Sequence, residues 1–221
     1  MAEKITLARK RKILKILEES TPNPVSELNY NSPYELIVAV MLSAQCTDKR
    51  VNMVTPALFK KYPTVEKLAK ADVEMVKELI KSVSYPNSKA EHLVGMAKML
   101  VADFGSQIPV DVEQLMRLPG IGRKSANVVA SICFAKPVIA VDTHVYRVAH
   151  RMGLSQGNTP YNVEQDLEKL VPLSKRADAH HWLILHGRYV CKAQKPLCNG
   201  CVVEELCPKL LEGSKLSERG R

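Results

Sequence analysis

The sequence predicts an all-α protein. Three observations lead to this fold class: apolar residues recur at helical spacing along most of the chain, several segments open with the signals of a helix N-terminus, and no Asn-Gly or Asp-Gly turn separates alternating runs. The connections between the predicted helices are of the short kind that helical bundles use. We therefore expect helices to supply nearly all of the regular structure.

Helix-start signals mark most of the predicted helices. Ser32-Pro33-Tyr34-Glu35 combines a Ser N-cap, a Pro at the first helical position and a capping-box Glu. It opens the apolar run Leu36–Leu42, which is too hydrophobic for a surface helix and predicts a central one. Further helices are predicted to begin at Ser88, at Asp111 and at Thr159-Pro160, and the last long one is predicted over Ala177–Val190.

The composition is that of a globular chain with an excess of positive charge. Of its 221 residues, 46% are apolar and 25% are charged, a balance that excludes an intrinsically disordered chain. Lys and Arg number 32 against 23 Asp and Glu, and this net charge of +9 favours a polyanionic partner such as nucleic acid. Because only 5% of residues are aromatic, too few to stack the successive bases of a single strand, duplex DNA fits better.

Neither a signal peptide nor a membrane span is predicted. The start, Met1 to Lys12, is rich in charge and lacks an apolar core, and the longest apolar stretches fall well short of the roughly 20 residues that span a bilayer. We therefore expect an intracellular protein of the cytoplasm and nucleoid with no membrane partner. In that reducing compartment, six cysteines indicate metal binding or catalysis before disulfides.

Residues 115–129 predict two helices joined by a tight turn that binds a phosphate. Pro119 ends the first helix, and Gly120 and Gly122 let the backbone turn with no Cβ in the way. The second helix presents unpaired N–H groups and its positive dipole end at the bend, which suits a DNA phosphate. Leu118 is counted with Gly120 and Gly122 in this DNA-binding turn and is expected to pack the two helices together. An ordinary helical turn with two glycines is the alternative, but the whole string LPGIGRK in a basic protein favours a DNA-binding helix-hairpin-helix.

Four of the six cysteines lie close together: Cys191, Cys198, Cys201 and Cys207, spaced Cys-x6-Cys-x2-Cys-x5-Cys. Structural zinc usually takes two short Cys-x2–4-Cys knuckles, and only one close pair is present here. Four thiolates wrapped by longer loops suit a [4Fe–4S] cluster better, with zinc or unligated thiols as the alternatives.

Together, the hairpin and the cysteine spacing resemble the endonuclease III family of DNA glycosylases. The resemblance covers nearly the whole chain and includes Leu42–Asp48, Asn87–Ala90, Val141–His144 and His180–Tyr189. It implies a helix-hairpin-helix DNA glycosylase with two helical domains. The first is a six-helix barrel over 26–136 that carries the hairpin at about 115–129, and the second is a discontinuous domain of 1–25 and 137–221 that carries a cluster loop at 191–207. It also implies a [4Fe–4S] cofactor and a monomer that binds double-stranded DNA containing damaged pyrimidines or abasic sites.

By this resemblance, Lys124 and Asp142 are the catalytic pair. Lys124 matches the family's nucleophile, and its place in the first turn of a helix, together with burial, is expected to lower the pKa of the amine and free its lone pair to attack C1′. An amine nucleophile leaves a Schiff base that permits β-elimination, so a lysine here predicts both base excision and strand nicking. Asp142 matches the carboxylate that activates the amine and stabilises the sugar cation. Taken alone, a phosphate contact is the ordinary role for Lys124 and helix N-capping the ordinary role for Asp142.

The resemblance also implies which residues contact DNA. Gln45 matches the residue that fills the gap left when the target base leaves the stack, with an ordinary solvated glutamine as the alternative. Tyr85, within Ser84-Tyr85-Pro86, stands where an aliphatic wedge is usual, a departure that bears on the preference for the opposite base. Phosphate contacts are expected at Arg123, at Lys192 and Lys195 in the first cluster loop, and at His144, for which a structural role is the alternative.

Two other functions compete with a bifunctional glycosylase. An adenine-excising mismatch glycosylase of the same superfamily also carries the cluster but lacks the lysine nucleophile, so Lys124 argues against it. A non-catalytic DNA-binding or electron-transfer protein built on the hairpin and the cluster has no need of Lys124 and Asp142 together.

Overall fold

Helices supply all the regular structure in residues 5–210, the part of the chain that this computed structural model describes. The predicted all-α class is confirmed. The described residues form two compact units, one from residues 5–25 and 137–210 and the other from Ser26–Lys136. Among the described helices, none is both long and apolar enough to cross a membrane.

The unit Ser26–Lys136 is built around the apolar helix that was predicted to be central. From Leu36 to Leu42, no residue is more than 4% exposed, because the helix packs against three others of the same unit. The unit has seven helices along its length: α2 (Pro33–Leu42), α3 (Asp48–Lys61), α4 (Val65–Ala69), α5 (Val73–Ile80), α6 (Pro86–Phe104), α7 (Val112–Met116) and α8 (Arg123–Phe134). Helix α2 packs against α3, α6 and α8.

Of the helix starts predicted in this unit, those at Ser32 and Asp111 are confirmed and the one at Ser88 is not. Ser32 Oγ accepts the backbone N–H of Glu35 at 3.2 Å, as predicted, while Glu35 Oε2 accepts the N–H of Asn31 at 2.7 Å. The start predicted at Ser88 is wrong, because α6 begins at Pro86. Proline fixes a helical φ and needs no N–H at the first helical position, so Pro86 starts the helix although Tyr85 offers no side-chain cap.

The second unit packs its helices around an apolar core of its own. Leu17, Val145, Val148 and Leu183 are each at most 1% exposed there. The start predicted at Thr159-Pro160 is confirmed, and the last long helix lies within one residue of its predicted bounds. Its described elements are α1 (Leu7–Ser20), α9 (Thr143–Arg151), α10 (Pro160–Leu170), a 3-10 turn (Leu173–Lys175) and α11 (Arg176–Tyr189).

Candidate active site and cysteine cluster

The hairpin between α7 and α8 depends on one glycine for its shape. Gly120 has a φ of +77°, and a Cβ placed there would lie 2.9 Å from His92 Cβ and 2.9 Å from Met41 Cε. Only glycine meets both conditions without strain or displacement of its neighbours. Leu118 is 2% exposed, so its side chain packs the hairpin as predicted and is not placed to contact a ligand directly.

Gly122 has a different role from Gly120. Its φ of −91° and ψ of 173° are extended backbone that any residue adopts, so the expectation that the turn needs glycine here is wrong. No atom lies within 4 Å of the position of a Cβ on Gly122. As the N-cap of α8, Gly122 also supplies no side-chain cap, so it leaves open space in front of a positive helix end.

Lys124 and Arg123 occupy the first turn of α8 directly behind that opening. The side chain of Lys124 is half-buried. Arg123 Nη1 lies 3.3 Å from Glu113 Oε1 in an ion pair whose acidic side chain is 74% exposed. Because exposed ion pairs contribute little stability, a phosphate is able to replace Glu113 at Arg123.

Asp142 is the N-cap of α9, the role that its position in the sequence predicts. Its Oδ1 accepts the backbone N–H of Val145 at 2.8 Å. The residue is half-buried, and its other carboxylate oxygen, Oδ2, is not needed for this cap. The cap therefore leaves room for the second role that the resemblance implies.

His144 lies one turn before a buried arginine. Arg147 Nη2 is 3.2 Å from His144 Nδ1, and since a guanidinium only donates, this contact favours the tautomer with its proton on Nε2. An Nε2–H group can donate to a phosphate oxygen. The contact with Arg147 thus gives His144 a structural role and also favours the tautomer that the predicted DNA contact needs.

Gln45 and Tyr85 are exposed residues with unusual backbone conformations. Their φ angles are +53° and +55°, in the left-handed region that non-glycine residues rarely adopt. Tyr85 is 63% exposed. Neither side chain packs into the core, as expected of residues that meet a ligand.

Two residues beside Gln45 and Tyr85 were missed by the sequence reasoning. Ser84 Oγ donates to Gln45 O at 2.6 Å. Lys89 is only 7% exposed, and its Nζ donates to Leu42 O at 2.8 Å and to Ala44 O at 2.7 Å. The sequence does contain a signal for Lys89. It stands four residues before Leu93, on the apolar face of α6, and a lysine on a buried face is rarely left without a partner.

The four clustered cysteines line one small pocket. Burial is the largest influence on the Cys207 thiol and raises its pKa, the backbone N–H of Lys209 opposes this, and the three other cysteines add to the rise. His186 and Met152 complete part of the wall, and Cys201 Sγ is 3.7 Å from His186 Nε2.

Two arginines of α9, also missed from the sequence, hold the first cluster loop. Arg147 donates to Cys191 O at 3.1 Å through both Nε and Nη2. Arg151 is 6% exposed and donates to Lys192 O at 2.6 Å and to Ala193 O at 2.9 Å. These bonds fix the backbone of the loop and leave the side chains of Lys192 and Lys195 exposed, as predicted for phosphate contacts.

The donor set of the pocket was tested against the metal centres that it suggests. Four thiols favour a soft, thiolate-bound metal, and the carboxylate of Glu204, which also lines the pocket, is already bound to Lys209 and to the N–H of Gly200. A tetrahedral zinc would hold its four sulfurs about 3.8 Å apart, given Zn–S bonds of about 2.3 Å. In the described residues no group of three or more His, Cys, Asp or Glu side chains is placed to hold a single ion, although the four cysteines share one pocket. The four thiols in this pocket fit a thiolate-ligated metal centre.

Comparison with protein families and curated proteins identifies relatives along most of the chain. Residues 38–173 match the family model described as HhH-GPD superfamily base excision DNA repair protein. An endonuclease III of Rickettsia felis is 47% identical over 196 residues, which are 89% of this chain and 92% of that protein. The endonuclease III of Escherichia coli is 45% identical over 200 residues, 90% of this chain and 95% of that protein.

Solved structures agree with the sequence relatives. A trapped covalent endonuclease III–DNA intermediate with an estranged adenine matches with a TM-score of 0.89 and 40% identity, over 92% of this chain and 96% of that chain. A thermostable thymine-DNA glycosylase matches with a TM-score of 0.82 and 26% identity, over 90% and 96% of the two chains. The chain belongs to the HhH-GPD superfamily of base excision DNA repair proteins and, within it, to the endonuclease III family of DNA glycosylases with abasic-site lyase activity.

Proposed function

We propose that Lys124 is the nucleophile with which this glycosylase and lyase excises oxidised pyrimidines from duplex DNA. The observation that carries the proposal is the position of Lys124 in the first turn of α8, directly behind a hairpin whose shape requires Gly120 and whose Gly122 leaves the helix end open. A phosphate held at that helix end would bring the sugar–phosphate backbone to the amine. A relative at 40% identity has been captured as a covalent intermediate with DNA, which supports a nucleophile supplied by the protein here.

The chemistry assigned to Lys124 proceeds in two stages. Its amine lone pair forms a bond to C1′ while the C1′–N bond to the base breaks, and the base leaves with that electron pair and takes up a proton. The sugar ring then opens to a Schiff base between Nζ and C1′. Loss of a C2′ proton breaks the C3′–O bond and expels the 3′ phosphate, so one residue supports both excision and nicking.

We assign Asp142 to stabilise the positive charge that develops during this reaction. As the C1′–N bond breaks, cationic character develops on the sugar, and a carboxylate stabilises it. Asp142 has one oxygen bound to its own helix and a second that the cap does not need. It is also the group we assign to accept the proton of the attacking amine.

The remaining predicted contacts are of two kinds: contacts to the DNA backbone, and contacts inside the duplex where the target nucleotide has left the stack. We assign Arg123, His144, Lys192 and Lys195 to phosphates, which position the duplex without reading its sequence. Gln45 and Tyr85 are assigned to the gap left by the extruded nucleotide. This substrate also implies action at the nucleoid, where duplex DNA lies.

The four cysteines are assigned to a [4Fe–4S] cluster. Cys191, Cys198, Cys201 and Cys207 would hold it, and when bound the cluster supplies a rigid thiolate-ligated anchor for the loop. The residues of the chain then do the binding: Arg147 and Arg151 fix the loop backbone, and its exposed lysines face solvent as a basic surface.

Borohydride trapping on duplex DNA that carries thymine glycol tests the assignment of Lys124. The wild-type protein should form a covalent adduct, because borohydride reduces the Schiff base to a stable amine. Lys124→Gln should abolish the adduct while it still binds the same duplex in a fluorescence anisotropy titration.

Lys136→Gln is the matched control, since Lys136 lies just past the other end of α8 and is half-buried like Lys124. It should trap as well as wild type. If Lys124→Gln still forms an adduct, another amine is the nucleophile and the proposal fails.

A further inference from the structure

Two loops of the unit Ser26–Lys136 are joined by one hydrogen bond that runs from loop to loop. The first loop, residues 43–46, follows α2 and carries Gln45, and the second, residues 82–85, precedes α6 and carries Tyr85. Ser84 Oγ of the second donates to Gln45 O of the first at 2.6 Å. We call these two segments the paired loops.

Lys89 joins the paired loops a second time. Its backbone N–H donates to Tyr85 O at 3.1 Å as the first hydrogen bond of α6, and its Nζ donates to Ala44 O at 2.7 Å and Leu42 O at 2.8 Å. The ammonium thus sits at the C-terminal end of α2, where the helix dipole favours a cation. Burial lowers the pKa of Lys89, so the two carbonyl bonds offset a real desolvation cost.

Both loops hold a residue in a conformation that must be stabilised by its surroundings. Gln45 and Tyr85 have φ angles of +53° and +55°, and neither Gln nor Tyr adopts the left-handed region readily. Strained residues of this kind persist where neighbouring contacts fix them, and they concentrate at ligand clamps. Here the fixing contacts end on the carbonyl of Gln45 itself and on the carbonyls of its neighbour Ala44 and of Tyr85.

We propose that Ser84 and Lys89 are positioning residues that hold the paired loops as one preformed wedge and thereby set how strongly the protein distinguishes the base opposite the lesion. This inference rests on the proposed function, since it takes Gln45 and Tyr85 as the residues that enter the gap. Loops that are already ordered lose little conformational entropy when DNA binds. The binding free energy of a preformed wedge therefore depends mainly on how well it fits the opposite base. The phenol ring of Tyr85 adds a stacking face to that fit.

Ser84→Ala is the primary test because it deletes one hydroxyl at a half-buried position and leaves the backbone unchanged. Single-turnover excision of thymine glycol is measured opposite adenine and opposite guanine. A second readout is the fluorescence of 2-aminopurine opposite a tetrahydrofuran abasic analogue, which rises when the opposite base is unstacked. The variant should excise about threefold to tenfold more slowly, the loss expected for one hydrogen bond. The ratio of the two rates should move towards one, and the 2-aminopurine signal should fall.

Lys89→Met tests the hydrogen bonds from Lys89 Nζ to Leu42 O and Ala44 O, because methionine has a similar length and no donor. It should shift the rate ratio and the 2-aminopurine signal in the same direction as Ser84→Ala, measured well below its melting temperature as followed by circular dichroism. Ser88→Ala and Lys98→Met are the matched controls. Both residues are exposed on α6, and both variants should behave as wild type.

The outcomes separate this inference from the function on which it rests. If wild type forms no borohydride adduct with abasic DNA, the proposed function fails and the inference falls with it. If wild type forms the adduct and Ser84→Ala keeps the wild-type rate ratio and 2-aminopurine signal, the inference alone is overturned. It is also overturned if Ser84→Ala slows excision equally opposite both bases and weakens binding to undamaged duplex, because that pattern indicates a general loss of structure.

Discussion

Asp142 Oδ1 accepts the backbone N–H of Val145 at 2.8 Å, so the carboxylate assigned to catalysis is also the N-cap of its helix. The two roles differ in what they need from the side chain. A cap requires one acceptor oxygen, which asparagine also supplies, whereas charge stabilisation requires the full carboxylate. Substitutions at Asp142 can therefore separate stability from chemistry.

Asp142→Asn should keep the fold and lose the activity. We expect its free energy of unfolding to stay within about 0.5 kcal/mol of wild type, and Asp142→Ala to lose about 1 kcal/mol as the cap disappears. Both variants should excise thymine glycol at least about 100-fold more slowly, since removing one electrostatic contact to a transition state costs that much. Urea unfolding and single-turnover excision measure the two effects.

Asp72→Ala is the control for the cap alone. Asp72 Oδ1 accepts the N–H groups of Glu74 and Met75 at the start of α5, in the other unit. This variant should lose stability like Asp142→Ala and keep full activity. An Asp142→Asn protein with wild-type excision would remove Asp142 from the mechanism.

Gly120→Ala and Gly122→Ala should differ in stability. At Gly120 a methyl group meets His92 and Met41 at 2.9 Å on a backbone with positive φ, so we expect a loss of about 1–3 kcal/mol of unfolding free energy. At Gly122 the methyl group meets nothing within 4 Å, so we expect a smaller loss, limited to the poorer N-cap that alanine makes. Chemical unfolding of both variants measures the difference.

DNA binding by the same two variants tests the phosphate contact. The methyl group of Gly122→Ala occupies the space in front of α8, so its affinity should fall for every duplex sequence alike. Gly105→Ala controls for backbone strain, because Gly105 has a φ of +55° with open space around it and ends α6. It should lose stability without losing affinity. A sequence-selective loss at Gly122→Ala would contradict a phosphate contact.

The cysteine assignment predicts a coloured, iron-containing protein. Purified under anaerobic conditions, it should absorb near ~400 nm because of thiolate-to-iron charge transfer. Cys201→Ala should lose both the absorption and the bound iron, as measured by elemental analysis. Cys133→Ala should keep them, because Cys133 does not line the pocket and burial raises the pKa of its thiol to about 11. Colourless protein with stoichiometric zinc would refute the cluster.

The burial of His181 predicts that the free energy of unfolding falls in mild acid. Burial is the largest influence and holds the pKa of His181 below the ordinary 6.5, although Ala177 O and Asp178 oppose it and Arg188 adds to it. Because the pKa of His181 is lower in the folded protein, the unfolded chain takes up this proton at a higher pH than the folded one. The free energy of unfolding should therefore fall as the pH drops through about 6.5 and level off below the folded-state pKa.

Urea unfolding of wild type and His181→Asn at pH 8, 6.5 and 5.5 measures this contribution. At pH 8 both side chains are neutral, so the difference there isolates the substitution itself. Between pH 8 and 5.5 the variant should lose less stability than wild type. Equal losses would show that His181 does not titrate as its burial implies.

Local rules already place much of the secondary structure from the sequence. Ser32-Pro33 and Thr159-Pro160 were recognised as helix starts because caps and first-turn prolines act within a few residues. The capping-box pattern at Ser88 predicts a start two residues too late, because a first-turn proline competes with it and Pro86 prevails. The cysteine spacing likewise predicted four side chains round one pocket, since short loops limit where they can lie.

What the sequence by itself determined is the all-α class, most helix starts, the hairpin and its open helix end, and the family to which the chain belongs. Tertiary structure alone decided which glycine the hairpin requires, because His92 and Met41 approach Gly120 from distant parts of the chain. It alone also decided that Lys89 joins two loops, since its acceptors lie more than 40 residues earlier in the chain. Such contacts depend on which helix faces pack together, and no short sequence window contains that information.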